Sequence, residues 1–203
     1  GITGARINAG SDCDSIMVDG ILESSTLAGG QGDNSDTLII NGGARNSYLA
    51  PQSGDDSISF GSSFVSSTIA CSNGRDTLNI GPILGSQNNI YLGSDQDLGL
   101  FRETVTGAFI RADADDDSLA YGSAASDTLF FNGAVSNSNI CFQYGSDLVR
   151  FSELVAATRI LATATTDLGL SRADDTVTFD RIGANSTIRA CLLYTSDAAD
   201  DTP

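Results

Sequence analysis

The chain has 203 residues, with 26 acidic and ten basic side chains, no histidine and a formal net charge of −16. All ten bases are Arg, and 23 of the acids are Asp. This charge excludes a nucleic-acid binder, which needs a basic surface to neutralise phosphates. The absence of His and Lys excludes a histidine base, a histidine metal ligand and a lysine Schiff base. Abundant Asp, Ser and Gly disfavour a helical bundle, because these residues belong to caps and turns.

The apolar residues are scattered in short runs. No run approaches the roughly 18 residues of a membrane-spanning helix, so we expect no membrane insertion. Four cysteines occur without a CxxC pair, and we interpret them as isolated small apolar residues and not as zinc ligands. They are Cys13, Cys71, Cys141 and Cys191.

An Asp followed by alternating apolar residues recurs about every twenty residues along the chain. The second and fourth residues after the Asp are usually apolar, for example Ile58 and Phe60, which is typical of a strand with one buried face. Two steps, Asp117 to Asp127 and Asp167 to Asp175, are close to half a period. The repeated residues are Asp14, Asp36, Asp56, Asp76, Asp97, Asp117, Asp127, Asp147, Asp167 and Asp175.

Two further apolar positions repeat with the same period. The stronger one lies about thirteen residues after the Asp, in phrases such as Ser67-Thr-Ile and Ser138-Asn-Ile. It holds Leu27, Leu49, Ile69, Ile90, Ile110, Ile140, Ile160 and Ile188. The weaker one lies about eight residues after the Asp, at Val65, Leu84, Val105, Val135 and Val155.

A unit of this length cannot bury its own apolar face, so copies must stack. Equivalent strands would then pair in parallel about 4.8 Å apart. We predict an all-β parallel β-helix, or β-solenoid, over residues 1–190, with about 20 residues and two short strands per coil and nine to ten coils. A β-sandwich is the alternative, since it also has short, regularly spaced strands. A sandwich does not require one residue type at one phase throughout.

The half-period steps carry a further prediction. If ten residues complete half a coil, Asp127, Asp147 and Asp167 lie on the opposite edge of the solenoid from Asp117 and its predecessors. The eight-residue step to Asp175 then returns the Asp column to the first edge. Leu129 and Phe131 would then continue the apolar ladder of Ile90 and Ile110.

The phrases Gly10-Ser-Asp-Cys-Asp, Ser53-Gly-Asp-Asp and Gly29-Gly-Gln-Gly-Asp resemble the hemolysin-type (RTX) nonapeptide GGxGxDxUx. The resemblance implies calcium bound at Gly-Asp turns of adjacent coils. It covers most of residues 10–190 but is degenerate, because the paired glycines are mostly lost and two nonapeptides would give a period of roughly 18. Long extracellular proteins of marine bacteria, often labelled calcium-binding, are more similar in their SGDDxIxFxG phrases.

Stacked Asp side chains must also be neutralised. Two carboxylates one coil apart repel by about 1 kcal/mol in water and about 3–4 kcal/mol at an effective dielectric of about 20. Arg75 can form an ion pair in the coil next to Asp55 and Asp56, whereas the cluster Asp95, Asp97, Asp115 and Asp117 has no base in its column. We predict that these four residues bind calcium, which takes about six to eight oxygen ligands. The alternative is that each Asp caps a turn through its own backbone.

We interpret the chain as a structural or adhesive repeat segment of a large secreted or cell-surface protein. Its expected partners are a surface glycan or neighbouring repeats of the parent chain. No catalytic or cofactor-binding residue is predicted, and we expect no enzyme. The Asp pairs, such as Asp55–Asp56 and Asp174–Asp175, are similar to those of β-helical pectin hydrolases, but the His-Gly and Arg-x-Lys signatures are absent. The alternatives are a carbohydrate-processing β-helix, lyase or hydrolase, and a phage fibre or spike shaft.

The C-terminal sequence differs from the rest. Residues 191–201 read CLLYTSDAADD, which resembles a translated transposase-type sequencing adapter. The repeat pattern ends at Ile188. We therefore predict that residues 191–203 are a non-native tail outside the fold, and that residues 1–190 are a fragment, open at both ends.

Overall fold

The structure is a computed structural model that describes residues 1–111, 128–142, 147–162 and 176–190. All regular elements in these ranges are β-strands, and equivalent strands of successive coils are paired in parallel. This confirms the predicted all-β solenoid. The tail at residues 191–203 and the residues between Arg111 and Thr128 lie outside the described residues.

Each coil contains three strands where the sequence predicted two. The first is a short strand: β1 (Ile2–Thr3), β4 (Leu22–Glu23), β7 (Ala44–Arg45), β10 (Phe64–Val65), β13 (Ile83–Leu84), β16 (Val105–Thr106) and β19 (Val135–Ser136). The second is β2 (Arg6–Gly10), β5 (Thr26–Gly30), β8 (Tyr48–Gln52), β11 (Thr68–Cys71), β14 (Asn88–Tyr91), β17 (Ala108–Arg111), β20 (Asn139–Phe142), β22 (Arg159–Ala162) and β24 (Thr187–Ala190). The third, which follows the repeated Asp, is β3 (Ser15–Val18), β6 (Thr37–Ile40), β9 (Ser57–Phe60), β12 (Thr77–Ile80), β15 (Leu98–Phe101), β18 (Thr128–Phe131), β21 (Leu148–Ala156) and β23 (Thr176–Ile182).

These strands form two sheets along the solenoid axis. Sheet A has 15 strands and contains the first and third strands of each coil, because β21 is long enough to join both columns. Sheet B has nine strands and contains the second strand of each coil. Register is kept from coil to coil: Leu38 pairs with Ile58 and Ile40 with Phe60. Identical faces therefore meet at every step, as stacking of a repeat requires.

The coils are not all of one length. Thr37 pairs with Ser57, twenty residues on, but Leu98 pairs with Thr128 and Leu148 with Thr176, which are 30 and 28 residues on. The eight strands of the third column thus span seven turns in the described part of the chain. This is slightly fewer than the predicted nine to ten coils, because two coils take up more residues.

The prediction that the half-period step moves the Asp column across the solenoid is wrong. Strand β18, which begins directly after Asp127, pairs with β15 in the same sheet, and Phe131 pairs with Phe101. Strand β20 likewise follows β17, with Ile140 opposite Ile110. The extra residues lengthen one coil and leave every strand in its own column. An insertion at a corner preserves all apolar ladders, whereas a half-turn would pair strands of different shape.

The second apolar position forms a buried ladder along sheet B from Leu27 to Ile160, as predicted, whereas Ile188 in the last strand is 39% exposed. Its side chains from Leu27 to Ile140 have no exposed surface. The third position is confirmed at Val105, Val135 and Val155, which are buried. It lies one residue earlier than predicted in two coils, where Phe64 and Ile83 point inward and the Leu84 side chain is 43% exposed.

A stack of four aromatic rings fills the core of the C-terminal coils. The ring centroids of Phe101 and Phe131 are 4.5 Å apart, those of Phe131 and Phe151 are 4.7 Å apart, and those of Phe151 and Phe179 are 5.1 Å apart. The rings are parallel within 11°. Because strict register places one Phe above another, the rings stack at nearly the spacing of the strands.

Candidate functional site

The repeated Asp residues form a buried hydrogen-bond column, here called the Asp ladder. In each step, the Oδ1 atom of one Asp accepts a hydrogen bond from the backbone N–H of the Asp one coil earlier, at 2.7 to 2.9 Å. Asp147 occupies the same position before β21 and is also buried. The members with these bonds are Asp14, Asp36, Asp56, Asp76 and Asp97.

The ladder satisfies backbone donors at a corner of the coil. The residue after each Asp already takes part in the hydrogen bonds of the sheet. For example, Thr37 N–H donates to the carbonyl of Asp14, and Ser57 N–H donates to the carbonyl of Asp36. The N–H of the Asp itself precedes the strand, and a buried N–H without a partner is costly. The carboxylate of the next coil supplies that partner. The side chain of each Asp therefore caps the backbone of a neighbouring coil. It does not cap its own turn, which was the alternative to calcium binding.

The second carboxylate oxygen has a different environment. The Oδ2 atom of Asp56 is buried and accepts no hydrogen bond, and that of Asp76 is buried with only the weak thiol donor of Cys71 beside it. Burial raises the pKa of Asp56 to about 6 and that of Asp76 to about 8, against the backbone hydrogen bond that lowers each, and the neighbouring carboxylates add to the rise. Asp76 consequently holds a proton at neutral pH. A proton on this side chain relieves its repulsion with the carboxylate of Asp56 in the neighbouring coil.

A second polar column, the Ser ladder, lies at the start of sheet B, where small Ser and Thr side chains are expected to stack at the corners of the coil. Ser47 Oγ accepts a hydrogen bond from the N–H of Ser25 at 3.2 Å and donates to the carbonyl of Arg45 at 2.8 Å. Both its donor and its acceptor capacity are used, unlike those of the Asp side chains. The signal in the sequence is a polar residue, most often Ser, two positions before most members of the second apolar position. The ladder comprises Ser25, Ser47, Ser67, Asn88, Ser138 and Thr158.

The structure describes two of the four predicted calcium ligands. Asp97 is a buried member of the Asp ladder, and its Oδ1 accepts from Asp76 N–H at 2.8 Å. Asp95 is exposed, and its Oδ2 accepts from Gly74 N–H at 3.1 Å. The two carboxylates thus lie at different depths and serve different hydrogen bonds. Asp115 and Asp117 lie outside the described residues, so the four-residue calcium site stays a prediction.

No set of three or more Cys, Asp or Glu side chains is placed to hold a metal ion within the four described ranges. The described pair Asp95 and Asp97 therefore does not by itself offer the oxygen ligands that calcium needs. The predicted ion pair of the Asp55 coil is confirmed, with Arg75 Nη2 at 2.9 Å from Asp55 Oδ2. The backbone and side-chain hydrogen bonds from Arg75 lower the pKa of Asp55. Both side chains are exposed, so the pair contributes little stability.

The three described cysteines are free thiols. Cys71 is buried beside Asp76, and burial raises the pKa of its thiol well above the ordinary value. A neutral, buried thiol is unreactive, which agrees with the interpretation of the cysteines as apolar residues.

Comparison with known proteins adds no relative. The chain matches no protein-family model, no curated protein sequence and no solved structure. Among the described residues, no helix has the length and apolar character to cross a membrane.

Proposed function

We propose that residues 1–190 are a structural segment of a larger secreted or cell-surface protein, a rod that spaces or presents other parts of that protein and provides a surface for adhesion. The observation that carries the proposal is the pair of buried ladders. Their hydrogen bonds run from one coil to the next, as from Asp56 N–H to Asp76 and from Ser47 N–H to Ser67. The polar interior groups are thus committed to stacking, and the proposal includes no catalysis. Abundant Asp keeps a long rod soluble and self-repelling outside the cell.

Mechanical unfolding tests this proposal. When residues 1–190 are pulled from their two ends, we expect the coils to detach one after another, because each contacts only its neighbours. A coil of twenty residues releases a contour length of about 70 Å, at roughly 3.5 Å per residue. Single-molecule force spectroscopy measures these steps. The control is a Gly/Ser linker of equal length, which extends without steps. A chain that extends without steps, as the linker does, would contradict the proposed structural role.

Calcium stabilisation is the separable second part of the proposal, and it is supported by the resemblance to calcium-binding repeats and by exposed acids such as Asp95. We expect millimolar calcium to raise the Tm relative to chelator, because binding to the folded state alone stabilises it. Asp95→Asn with Asp117→Asn should remove most of that rise. The matched control is Asp55→Asn, whose carboxylate already pairs with Arg75. A Tm that does not respond to calcium argues against this part and leaves the structural role standing.

A further inference from the structure

The outer face of sheet B differs in charge from the rest of the molecule. Its nine strands contain four of the ten Arg and none of the 26 acidic residues of the chain. The four are Arg6, Arg111, Arg159 and Arg189. The inward positions of these strands are apolar, so the Arg side chains lie on the outward positions. A protein with net charge −16 thus carries a locally basic sheet face.

A groove of about 460 Å³ crosses five coils at the C-terminal half of this face. Its floor and walls include one outward side chain from each successive strand, and the register aligns them in a row. Corner residues with positive φ, Asn137 and Asn185, border it. The outward row is Asn89, Phe109, Asn139, Arg159 and Thr187.

Small residues line the groove in one coil. Gly107 and Ala108 stand where the preceding coil has Gln87 and Asn88. Gly107 has a φ of 66°, and a Cβ atom there would lie 2.4 Å from the carbonyl oxygen of Gly85. A side chain at this corner would displace the backbone of the neighbouring coil, so the position next to Phe109 stays a glycine.

We infer that this groove binds a carboxylate-bearing polysaccharide, which would be the surface glycan of the adhesive role proposed above and rests on that role. The guanidinium of Arg159 is exposed and matches a carboxylate in a bidentate pair. The amides of Asn89 and Asn139 both donate and accept, as sugar hydroxyl groups require. The ring of Phe109 provides an apolar surface for the C–H face of a sugar. Row members recur about every 4.8 Å, so an extended chain meets one side chain of the row per coil.

The charge of the whole protein does not prevent this binding. Exposed charges more than about 8 Å away are largely screened at physiological ionic strength. Within the strands of sheet B every charged side chain is an Arg, so the field that these strands contribute is positive. The same field acts on Cys141, whose thiol pKa is raised by burial and lowered in part by Arg159 and Arg111. These two guanidinium groups thus lie close to one outward position of strand β20.

Polygalacturonate is the test probe, and neutral dextran is its uncharged counterpart. Residues 1–190 should bind polygalacturonate. The substitution Arg159→Gln should raise the Kd by about tenfold or more, because a hydrogen-bonded pair of charged groups is lost. The matched control is Arg150→Gln, which removes the same charge from an exposed outward position of β21 on sheet A. Its Kd should stay within about twofold of the wild type. Isothermal titration calorimetry measures both, and circular dichroism verifies that each variant is folded.

Three results would overturn the inference: no binding of polygalacturonate, equal binding of dextran, or equal losses in the Arg159 and Arg150 variants. Equal losses would mean that the polymer senses only overall charge. Each of these results leaves the coil-by-coil mechanical unfolding intact. A chain that extends without steps contradicts the structural role instead, so the two failures are distinguishable.

Discussion

The protein is expected to lose stability as the pH rises from about 4 to about 8, because buried members of the Asp ladder must then give up protons. Asp56 and Asp76 are each 2% exposed; the Oδ2 atom of Asp56 has no hydrogen-bond donor, and that of Asp76 has only the weak thiol donor of Cys71. An ionised carboxylate at these positions is buried and lacks a counterion, whereas the protonated acid is neutral. The folded chain therefore holds these protons more tightly than the unfolded chain does.

The sign of the effect follows from the two pKa values. Both lie above the ordinary Asp value of 3.8, at about 6 for Asp56 and about 8 for Asp76. The stabilisation is complete below pH 3.8 and is lost as the pH passes through the folded values. Between the unfolded and folded values, each group lowers the free energy of unfolding by up to about 1.4 kcal/mol per pH unit. Of these two groups, Asp76 continues the decline above about pH 6.

The substitution Asp76→Asn isolates this contribution. The Asn Oδ1 can still accept the N–H of Asp56, but the side chain no longer ionises. We expect the variant to become the more stable protein above about pH 8, and to show a flatter dependence on pH than the wild type. Urea unfolding at a series of pH values measures both curves. Parallel curves for the two proteins would show that Asp76 does not hold a proton in the folded state.

The matched control is Asp55→Asn, one residue away from the ladder. Asp55 is exposed, and the hydrogen bonds from Arg75 lower its pKa, so its contribution is lost only as the pH falls below the ordinary Asp value. Its substitution removes only one of the smaller causes of the raised pKa of Asp56 and Asp76, so it should change the slope between about pH 5 and 8 much less than Asp76→Asn does. The general repulsion among the many other acids also remains in both variants. The difference between the variants therefore reports the burial of Asp76.

The sequence predicts the solenoid because stacking demands the same residue type at the same phase. It does not predict the two-residue strands, since two residues are too few to show a periodic pattern. Nor does it tell which residue of such a strand points inward, because Phe64 and Val65 are equally apolar. The half-period step was ambiguous because an insertion and a half-turn give the same spacing between Asp residues. The second apolar position could have decided it: Ile110 and Ile140 are thirty residues apart with no member between them, which already indicates one long coil.

The Asp ladder illustrates what sequence reasoning can and cannot establish about a site. The phase of Asp56 and Asp76 is evident from the sequence, and their mutual repulsion follows from the coil spacing. Whether the repulsion is relieved by a cation or by a proton depends on side-chain direction. The carboxyl groups turn inward, beside Cys71 in the case of Asp76, and they bond to a neighbouring coil. No periodicity shows that direction, because inward and outward Asp residues repeat equally well.

The substitution Phe131→Ala is expected to destabilise the C-terminal coils by about 3–5 kcal/mol, the usual cost of removing a buried phenyl ring. Phe131 has no exposed surface, and its ring lies between those of Phe101 and Phe151. The substitution removes both stacked contacts and leaves a void that the rigid register of the strands resists closing. The adjacent Phe130 is a matched control on the same strand, since it points outward and is only partly buried. Phe130→Ala should therefore cost much less.

The position of Phe131 also determines how the loss is distributed. A stacked repeat is held by interactions between neighbouring coils, so a weak interface in the middle separates the two halves. We expect Phe131→Ala to unfold in two transitions, with the coils after β18 opening first. Hydrogen exchange should show lost protection at Phe151 while Ile80 and Leu78, deep in the N-terminal half, stay protected. Phe130→Ala should keep the unfolding pattern of the wild type. One cooperative transition with equal losses in the two variants would mean that the Phe stack does not couple the coils, and that the backbone ladders alone hold the rod together.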